Sequence, residues 1–509
     1  MGLWGLLVLV GILHVHGCLA ALKGGGNLDL GPNSQRNQRT LSSTTTLLFP
    51  LVGDVHPTGV YYVSIDIGNP PKPYFLHVDT GSDLTWLQCD APCRSCSKVP
   101  HQPPFCSPSL ILLTLSLSLS LSLSLSLSLS LSLSLSLSLC FQGPHPFYRP
   151  TKNKLVSCKD PLCISLKSLR SYPCDDPTQQ CDYEIEYADH GSSLGVLVRD
   201  SFHIRITNGS LIHRHLAFGC GYDQQGSQAT STTDGILGLR NSDSGIVSQF
   251  WNQGVIRNVI GHCIDGQLGR GYLFLGDDLV PSSGMTWVPM TQSYLRKYYS
   301  PGCANILFGR DVLSDRYFDV IFDSGTSFTY FTSLAYQALI SRLRKDLAKT
   351  SLKELPIGPH STLPLCWRGT KAFKSLSEIK GYFKPLVMNF KNGKRARFEI
   401  SPEGFLIITS QGNVCLGILN GSEVGLLDHI LIGDISLHGY LVVYDNENHQ
   451  IGWVPQNCNR LPKLEGNGFG DLFSRPYASD MGIFSGDQLQ YPATPTRERS
   501  NTSRRKSEG

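Results

Sequence analysis

The sequence carries almost no excess of charge. Its 509 residues include 44 Lys and Arg against 40 Asp and Glu, which leaves a formal net charge of +4. Before the C-terminal end, no run of basic residues is interleaved with aromatic ones, so the usual pattern of a nucleic-acid groove is missing. We therefore expect no nucleic-acid partner.

A zinc signature and a long N-terminal apolar run are missing as well. No HExxH motif is present, which argues against a zincin, and we expect neither a metal ion nor an organic cofactor.

The apolar run at 1–13 is too short to span a bilayer, and small residues follow it at 18–21. We interpret 1–21 as a signal peptide and expect no stable membrane span. A signal anchor is the alternative, because the run lacks a basic start.

Cysteine, in contrast, is abundant. Sixteen cysteines, fifteen of them after Cys18, exceed what a cytosolic enzyme of this size usually carries. We expect disulfides, a monomer, and a secretory route that ends in the extracellular space (the apoplast) or the vacuole. Cys89, Cys93 and Cys96 have the C-x3-C-x2-C spacing of an iron–sulfur site, an alternative that an oxidising compartment argues against.

The most informative feature is an internal repeat. Residues 77–87 (HVDTGSDLTWL) and 321–331 (IFDSGTSFTYF) share the order apolar, Asp, hydroxyl, Gly, hydroxyl, variable, apolar, Thr, aromatic, apolar. Strand-like sequence precedes both segments. The repeat predicts two similar halves, with Asp79 and Asp323 each placed where a strand turns.

A second pair of similar segments tests this interpretation. The apolar runs 234–239 (DGILGL) and 429–434 (HILIGD) both contain a Gly that lets backbones approach closely. This Gly follows the repeated Asp by 159 residues in the first half and by 110 in the second. The first half therefore contains extra sequence.

The extra sequence includes a Leu-Ser alternation at 115–139. Removing 102–145 would bring the first spacing to 115 residues, close to the second. Translation of a CT dinucleotide repeat gives this alternation, so retained non-coding sequence is our leading hypothesis. As protein, the segment would favour a strand with aggregation risk. Because it interrupts the first half, we expect it to disturb the N-terminal lobe.

Short Val, Ile, Tyr and Phe runs punctuated by Gly, Asn, Asp and Pro predict a mostly β protein. Residues 261–276 predict a hairpin, and 332–350 predict a helix capped by Ser333. We expect the pro-segment and the tail to stay outside the core. The expected organisation is a signal peptide (1–21), a short pro-segment (22–57), an N-terminal lobe (58–240), a C-terminal lobe (241–459) and a polar tail (460–509).

Two carboxyl groups that a two-fold repeat brings face to face can divide acid and base roles. Like charges about 3 Å apart cannot both ionise, so Asp79 and Asp323 would share one proton across the acid range. The ionised member would take a proton from water while the protonated member donates to the substrate carbonyl, without a covalent intermediate. This chemistry predicts an aspartic endopeptidase that acts on protein or peptide substrates.

Each Asp is followed by residues that suit this role. Hydroxyl groups can hold a carboxylate in plane without adding charge, and glycine lets the turn pack closely. The residues concerned are Thr80, Gly81 and Ser82 in the first half and Ser324, Gly325 and Thr326 in the second.

The paired motifs resemble the active-site motifs of the pepsin-type aspartic proteases, and the cysteine-rich run 86–96 (WLQCDAPCRSC) resembles the plant nepenthesin and nucellin-like branch. The resemblance covers about 58–459 and implies a bilobal double β-barrel with the substrate cleft between the lobes. It also implies that Tyr187 is the tyrosine of the flap over the substrate and that Trp86 supports it. His190 departs from the family pattern, which has a small residue there, and we expect an altered substrate preference.

Two further predictions concern a thiol and an alternative function. With Cys18, Cys106 and Cys140 set aside, an odd number of cysteines remains, and Cys303 is the candidate for an unpaired thiol. The main alternative function is a catalytically silent binding protein on the same fold, resembling the plant xylanase inhibitors. We favour the protease because both Asp residues and their hydroxyl partners are present.

Overall fold

Strands dominate the part of the chain that the structure describes. The computed structural model describes residues 45–90, 145–167, 174–291, 298–356, 363–393 and 396–460. The strands before residue 240 are β1 (Leu47–Asp54), β2 (Val60–Ile67), β3 (Lys72–Asp79), β4 (Trp86–Gln88), β5 (Asp182–Glu186), β6 (Ser192–Arg205), β7 (Leu211–Gln225) and β8 (Gly235–Gly238). The prediction of a mostly β protein is confirmed.

The second half continues in the same way. Its strands are β9 (Val259–Asp265), β10 (Arg270–Leu275), β11 (Thr286–Pro289), β12 (Gly302–Phe308), β13 (Asp311–Val312), β14 (Phe318–Phe322), β15 (Thr329–Phe331), β16 (Lys353–Glu354), β17 (Cys366–Arg368), β18 (Leu386–Phe390), β19 (Arg397–Ile400), β20 (Leu406–Ile408), β21 (Val414–Leu416), β22 (Ile418–Asn420), β23 (His429–Ile432), β24 (Tyr440–Asp445) and β25 (Gln450–Pro455). The α-helices of the described residues are α1 (Pro161–Lys167), α2 (Ile246–Asn252), α3 (Ser333–Leu347) and α4 (Asp434–Leu437).

The strands form three sheets, and the largest joins both halves of the chain. This 13-stranded sheet has the order β11-β25-β24-β9-β10-β1-β2-β3-β8-β4-β7-β6-β5. An 8-stranded sheet has the order β19-β18-β12-β14-β23-β15-β22, with β13 on β12, and a 4-stranded sheet has the order β16-β17-β21-β20. In the large sheet, β1 lies between β10 and β2 and so connects the two halves.

The predicted repeat is visible in the strand pairing. In the first half β3 pairs parallel with β8, β8 pairs antiparallel with β4, and β4 pairs parallel with β7. In the second half β14, β23, β15 and β22 repeat this pattern in the same order. The register places Asp79 opposite Gly238 and Phe322 opposite Ile432. Each Asp therefore lies beside the apolar run that the sequence pairs with it.

The two Asp-bearing strands have sequences that fit central positions. All five residues of β14 are buried, and only the first two of β3 are exposed. Strands covered on both faces are near-continuous apolar runs. By contrast, β12 alternates buried and half-buried residues, as expected when one face is less covered.

Local predictions hold with one shift in a helix cap. The hairpin at 261–276 is confirmed as the antiparallel pair β9 and β10. The helix predicted at 332–350 is α3, but its N-cap is Thr332, whose hydroxyl accepts from the Ala335 N–H at 3.5 Å. Ser333 is the first helical residue, so the prediction that it caps the helix is wrong by one position.

The expectation that 22–57 stays outside the core is wrong for its last part. Leu47, Leu48, Phe49 and Leu51 in β1 are buried. Their strand pairs with β10 on one side and β2 on the other, so it is covered by neighbours that the local composition does not reveal. The domain boundaries stay predictions.

Disulfides tie the described cysteines together. The pairs are Cys89–Cys220, Cys158–Cys174, Cys163–Cys181, Cys263–Cys458 and Cys366–Cys415. Because Cys89 is bonded to Cys220, it cannot serve as a thiolate ligand of the iron–sulfur site considered above. Cys93 and Cys96 lie outside the described residues.

The prediction that Cys303 is an unpaired thiol is wrong. Cys303 is disulfide-bonded, and no cysteine of the described residues is free. The prediction set aside Cys18, Cys106 and Cys140, whereas the full set of sixteen cysteines is even.

In the described ranges, none of the helices has the length and apolar character needed to cross a membrane. The predicted signal peptide, the Leu-Ser segment at 115–139 and the tail beyond residue 460 lie outside these ranges.

The chain on the two sides of the Leu-Ser segment forms one ladder. The Asp90 N–H donates to the Tyr148 carbonyl at 2.9 Å, and the Tyr148 N–H donates to the Gln88 carbonyl at 3.1 Å. Asp234 holds His145, because its carboxylate contacts the His145 N–H at 3.0 Å and Nδ1 at 2.6 Å. The expected disturbance of the lobe is therefore absent from the described residues around the segment.

Removal of residues 102–144 should leave the fold intact. Asp90 and Tyr148 are neighbours in the ladder, and the remaining residues can join them easily because an extended residue spans about 3.3 Å. We expect the shortened chain to keep the near-UV circular dichroism spectrum and the melting temperature of the full chain.

Asp234→Ala is the matched contrast for this deletion. It removes the acceptor of the Phe75 N–H, at 2.7 Å, and of the His145 N–H. A buried donor left without an acceptor costs about 1–3 kcal/mol, so the melting temperature of this variant should fall. Loss of the near-UV spectrum in the shortened chain would instead make 102–144 part of the lobe.

Candidate active site

The two Asp-bearing turns meet where the two halves of the molecule join. Asp79 ends β3 and is buried, and Asp323 directly follows β14 and is half-buried. Their carboxyl groups are neighbours, close enough for the charge of Asp79 to act on Asp323. A Cβ atom on Gly81 would come within 2.7 Å of Asp323 Oδ1, and one on Gly325 within 2.1 Å of Asp79 Oδ1. This close approach requires glycine in both turns.

Each carboxylate is held by its own turn. Asp79 Oδ1 accepts from the N–H groups of Gly81 at 2.8 Å and Ser82 at 3.2 Å, and the Ser82 hydroxyl donates to Asp79 Oδ2. The matching contacts of the second half are the Gly325 N–H to Asp323 Oδ1 at 2.8 Å and the Thr326 hydroxyl to Asp323 Oδ2 at 2.8 Å. Ser82 and Thr326 each donate to the carboxylate of their own turn.

Thr80 and Ser324 have a different part in the geometry from the one predicted. The Ser324 N–H donates to Thr80 Oγ1 at 2.9 Å, and the Thr80 N–H donates to Ser324 Oγ at 3.2 Å. Ser324 Oγ also donates to the Val78 carbonyl at 3.0 Å. These hydroxyls join the two turns to each other, whereas the predicted role was to hold the carboxylates.

Burial and mutual repulsion shift the acidity of the pair. Burial, followed by the negative charge of Asp79, raises the pKa of Asp323 to about 7, and the hydrogen bonds from Thr326 and Gly325 oppose this change. A proton is therefore held between the two carboxyl groups well above the range of an ordinary Asp.

A third carboxyl group lies next to the pair. Asp434 begins α4 and is 1% exposed, and its Oδ1 has no hydrogen-bond partner in the described structure. Burial, then the charges of Asp323 and Asp79, raise its pKa well above the usual range, which favours its neutral form. Asp434 ends the second apolar run of the sequence, and no role was predicted for it. The sequence does contain a signal for it, because the first apolar run has Leu239 at the position equivalent to Asp434.

The predicted flap residues also come together. The Trp86 Nε1–H donates to the Tyr187 hydroxyl at 2.6 Å, and Trp86 is fully buried. Tyr187 and Gly191 form a turn in which His190 has a φ of 64°. That left-handed conformation favours glycine, and His is among the other residues that tolerate it.

Other chemistry has less support in this region. Among the residues that the structure describes, no group of three or more His, Cys, Asp and Glu could hold a metal ion. Residues 191–195 (GSSLG) have the Gly-x-Ser-x-Gly spacing, but Ser193 is fully buried within β6 and bonds Tyr183 at 3.1 Å. A nucleophilic Ser of that motif would sit exposed on a strand-to-helix turn.

Known proteins match most of this chain. The family described as xylanase inhibitor N-terminal matches residues 61–111 and 126–277, and the one described as xylanase inhibitor C-terminal matches 303–455. An aspartic proteinase from Oryza sativa subsp. japonica is 38% identical over 432 residues, which cover 83% of this chain and 93% of that protein.

Solved structures match the fold. Basic 7S globulin from soybean has a TM-score of 0.55 at 17% identity and covers 82% of this chain and 96% of its own. An aspartic proteinase from Irpex lacteus has a TM-score of 0.50 at 15% identity and covers 81% of this chain and 98% of its own. These likenesses confirm the pepsin-like fold.

The relatedness goes beyond the fold for the rice protein, because the 38% identity extends over 83% of this chain and 93% of that protein. The narrower nepenthesin and nucellin-like branch stays a prediction. With the paired Asp turns in place, this chain belongs to the plant pepsin-type aspartic proteinase family.

Proposed function

We propose that this protein is an aspartic endopeptidase that hydrolyses peptide bonds at acid pH with Asp79 and Asp323 as its catalytic residues. The observation that carries the proposal is the contact between the two carboxyl groups, each held by its own turn and joined across the halves. Such a pair can hold one proton and one negative charge at once, which is what activation of water requires.

The surroundings of the two carboxyl groups support different roles for them. Asp79 accepts three hydrogen bonds from its own turn, and donors of this kind stabilise a carboxylate. Asp323 has the raised pKa and is the better place for the shared proton. Asp79 then acts as the general base toward water, and Asp323 as the general acid toward the carbonyl oxygen.

The steps balance without a covalent intermediate. Asp79 removes a proton from water as the water oxygen bonds the carbonyl carbon, and Asp323 gives its proton to the carbonyl oxygen. The resulting tetrahedral diol collapses when the C–N bond breaks: the leaving nitrogen takes up the proton that Asp79 received, and one diol hydroxyl returns its proton to Asp323 as the C=O bond forms again. The carboxyl pair returns to one proton and one charge.

The flap supports the same function. Tyr187 and Trp86 are hydrogen-bonded, and the charge of Asp79 acts on the Tyr187 hydroxyl, whose pKa is raised well above its usual value by burial first and by Asp79 second. We assign Tyr187 to the cover of the substrate and Trp86 to its support. A covered site excludes water and strengthens the electrostatic interactions within it.

The disulfides support a secretory route for the protein. Five pairs within the described residues need an oxidising compartment to form. An extracellular or vacuolar destination fits an enzyme that acts on protein or peptide substrates at acid pH. The rice relative, which is named an aspartic proteinase, favours the same activity.

A catalytically silent binding protein is the second candidate. The two matching family descriptions both name xylanase inhibitors. The complete carboxyl pair and the hydroxyl contacts of both turns favour the protease over this candidate. Binding of a xylanase without any proteolysis by the wild-type chain would favour the inhibitor.

Asp79→Asn and Asp323→Asn should each abolish acid proteolysis. Acid–base catalysis contributes about 10²–10⁴-fold to rates, so we expect a loss of at least about 10²-fold for each variant. The measurement is cleavage of a protein substrate at acid pH, with and without pepstatin. Asp311→Asn is the matched control. That carboxylate is 47% exposed and forms an ion pair with Arg342 outside the carboxyl pair. Equal activity in all three variants would overturn the assignment.

The raised pKa of Asp323 predicts how activity and stability change with pH. Proteolysis should fall as the pH rises through about 7, because the shared proton is lost there. A folded-state pKa above the unfolded one stabilises the protein at low pH, and this contribution is lost as the pH rises through the folded pKa. Between pH 4 and pH 8, the melting temperature of the wild type should therefore fall more than that of Asp323→Asn. Parallel melting curves for the two proteins would contradict this prediction.

A further inference from the structure

Arg240 directly follows the first apolar run (234–239) and lies against the turn that carries Asp79. Its side chain is 17% exposed, and that of its partner Asp83 is 28% exposed. An Arg side chain is seldom covered to this extent unless its charge is paired. The mechanism above does not use Arg240, so its partners in the turn need a separate explanation.

The guanidinium group of Arg240 has three partners. Nη1 donates to the Gly81 carbonyl at 3.2 Å, and Nη2 pairs with Asp83 Oδ2 at 3.2 Å. The guanidinium carbon also lies 5.4 Å from the centroid of the Tyr298 ring. The planar fork of an Arg side chain suits two acceptors at once, whereas a Lys ammonium is a single point charge. The Gly81 carbonyl is therefore held by a group that Asp83 and Tyr298 keep in place.

The Gly81 carbonyl belongs to the peptide group that ends in the Ser82 N–H. This N–H donates to Asp79 Oδ1 at 3.2 Å. Because a peptide group is planar, a partner that fixes its carbonyl also fixes its N–H. The main-chain N–H of Arg240 in addition donates to the Ser82 carbonyl at 2.8 Å, which holds the next peptide group of the turn. Arg240 thus orients a donor of the Asp79 carboxylate through the backbone.

The turn of Asp323 lacks this contact in the described part of the chain. The residue that follows the second apolar run, as Arg240 follows the first, is Ile435, whose apolar side chain cannot donate. The matching N–H of the second turn, that of Thr326, donates to the main-chain carbonyl of Asp323 at 3.4 Å. Within the described turns, Asp79 Oδ1 therefore accepts from two N–H groups and Asp323 Oδ1 from one.

The additional N–H affects how the pair divides its proton and its charge. N–H donors stabilise a carboxylate relative to a carboxylic acid, so the carboxyl group with more donors keeps the negative charge. Hydrogen bonds in a row also polarise one another. A cation on the Gly81 carbonyl therefore strengthens donation by the N–H at the other end of the same peptide group. Both effects favour the charge on Asp79 and the proton on Asp323.

We propose that Arg240 is a positioning residue that makes Asp79 the charged member of the carboxyl pair by holding the peptide group between Gly81 and Ser82. This inference rests on the proposed proteolytic function. Without the guanidinium group, the Gly81 carbonyl loses its side-chain donor, and the peptide group can rotate so that its N–H no longer points at Asp79. The general base would then be ready in a smaller fraction of the molecules.

The kinetics of peptide cleavage at acid pH test the proposal. Arg240→Leu should lower kcat about tenfold with KM nearly unchanged, as expected when an interaction that aligns reacting groups is lost. Arg240→Lys should recover part of this loss, because an ammonium group can still donate to the Gly81 carbonyl. Arg199→Leu is the matched control. It removes an Arg on β6 that pairs with Asp160 at 3.1 Å and is 44% exposed, and it should keep the wild-type kcat.

Hydrogen exchange gives a measurement that does not depend on activity. Exchange at the Ser82 amide, followed by mass spectrometry of peptides spanning 76–86, should be faster in Arg240→Leu and unchanged in Arg199→Leu. If the near-UV circular dichroism spectrum shows that Arg240→Leu does not fold, Arg240→Lys is compared with the wild type in the same way, and smaller changes in the same direction are expected.

Three results would overturn the inference. The first is a kcat or a Ser82 exchange rate in Arg240→Leu that stays at the wild-type value. The second is an equal loss of kcat in Arg199→Leu, and the third is a loss in Arg240→Lys as large as that in Arg240→Leu. An inactive wild type whose Ser82 exchange still responds to Arg240→Leu would overturn the proteolytic function and keep the role of Arg240 in the turn.

Discussion

The reciprocal hydrogen bonds between Thr80 and Ser324 are the constraint on which the rest of the site depends. Each hydroxyl accepts from the N–H group of the residue after the opposite Asp, so neither turn can move without the other. Each turn then fixes its own carboxylate through N–H and hydroxyl donors. The separation of the two acids is thus set by backbone contacts. Catalysis needs such a fixed separation, because catalytic groups must be held within about 0.5 Å of their productive positions.

That constraint works against the electrostatics of the same residues. Asp79, Asp323 and Asp434 are neighbouring carboxyl groups in a largely buried region, and burial disfavours their charged forms. The structure accommodates them by favouring protonated forms: burial raises the pKa of Asp434 well above its usual value, and Asp323 holds a proton to about pH 7. The one remaining charge lies among the donors of the Asp79 turn. The site is thereby prepared for acid and base chemistry before a substrate arrives.

The sequence predicted the parts of this site that a local repeat encodes. Asp79 and Asp323 could be found because their segments match in residue type at nearly every position. The role of Thr80 could not be found in this way, since its partner Ser324 is 244 residues distant along the chain. The burial of Leu47 and the disulfide bond of Cys303 could not be predicted for the same reason. Both depend on neighbours that only the folded chain supplies.

The energetics also explain why one fold can include proteinases and proteins described by other functions. The apolar runs of strands such as β14 and the disulfides stabilise the sheets, whereas a buried pair of acids makes no such contribution. Loss of the acids would therefore leave the fold in place and could even stabilise it, as is common for active sites. A chain that keeps both acids, both glycines and the hydroxyls of both turns keeps groups that folding alone does not need. Their joint presence is better explained by chemistry than by architecture.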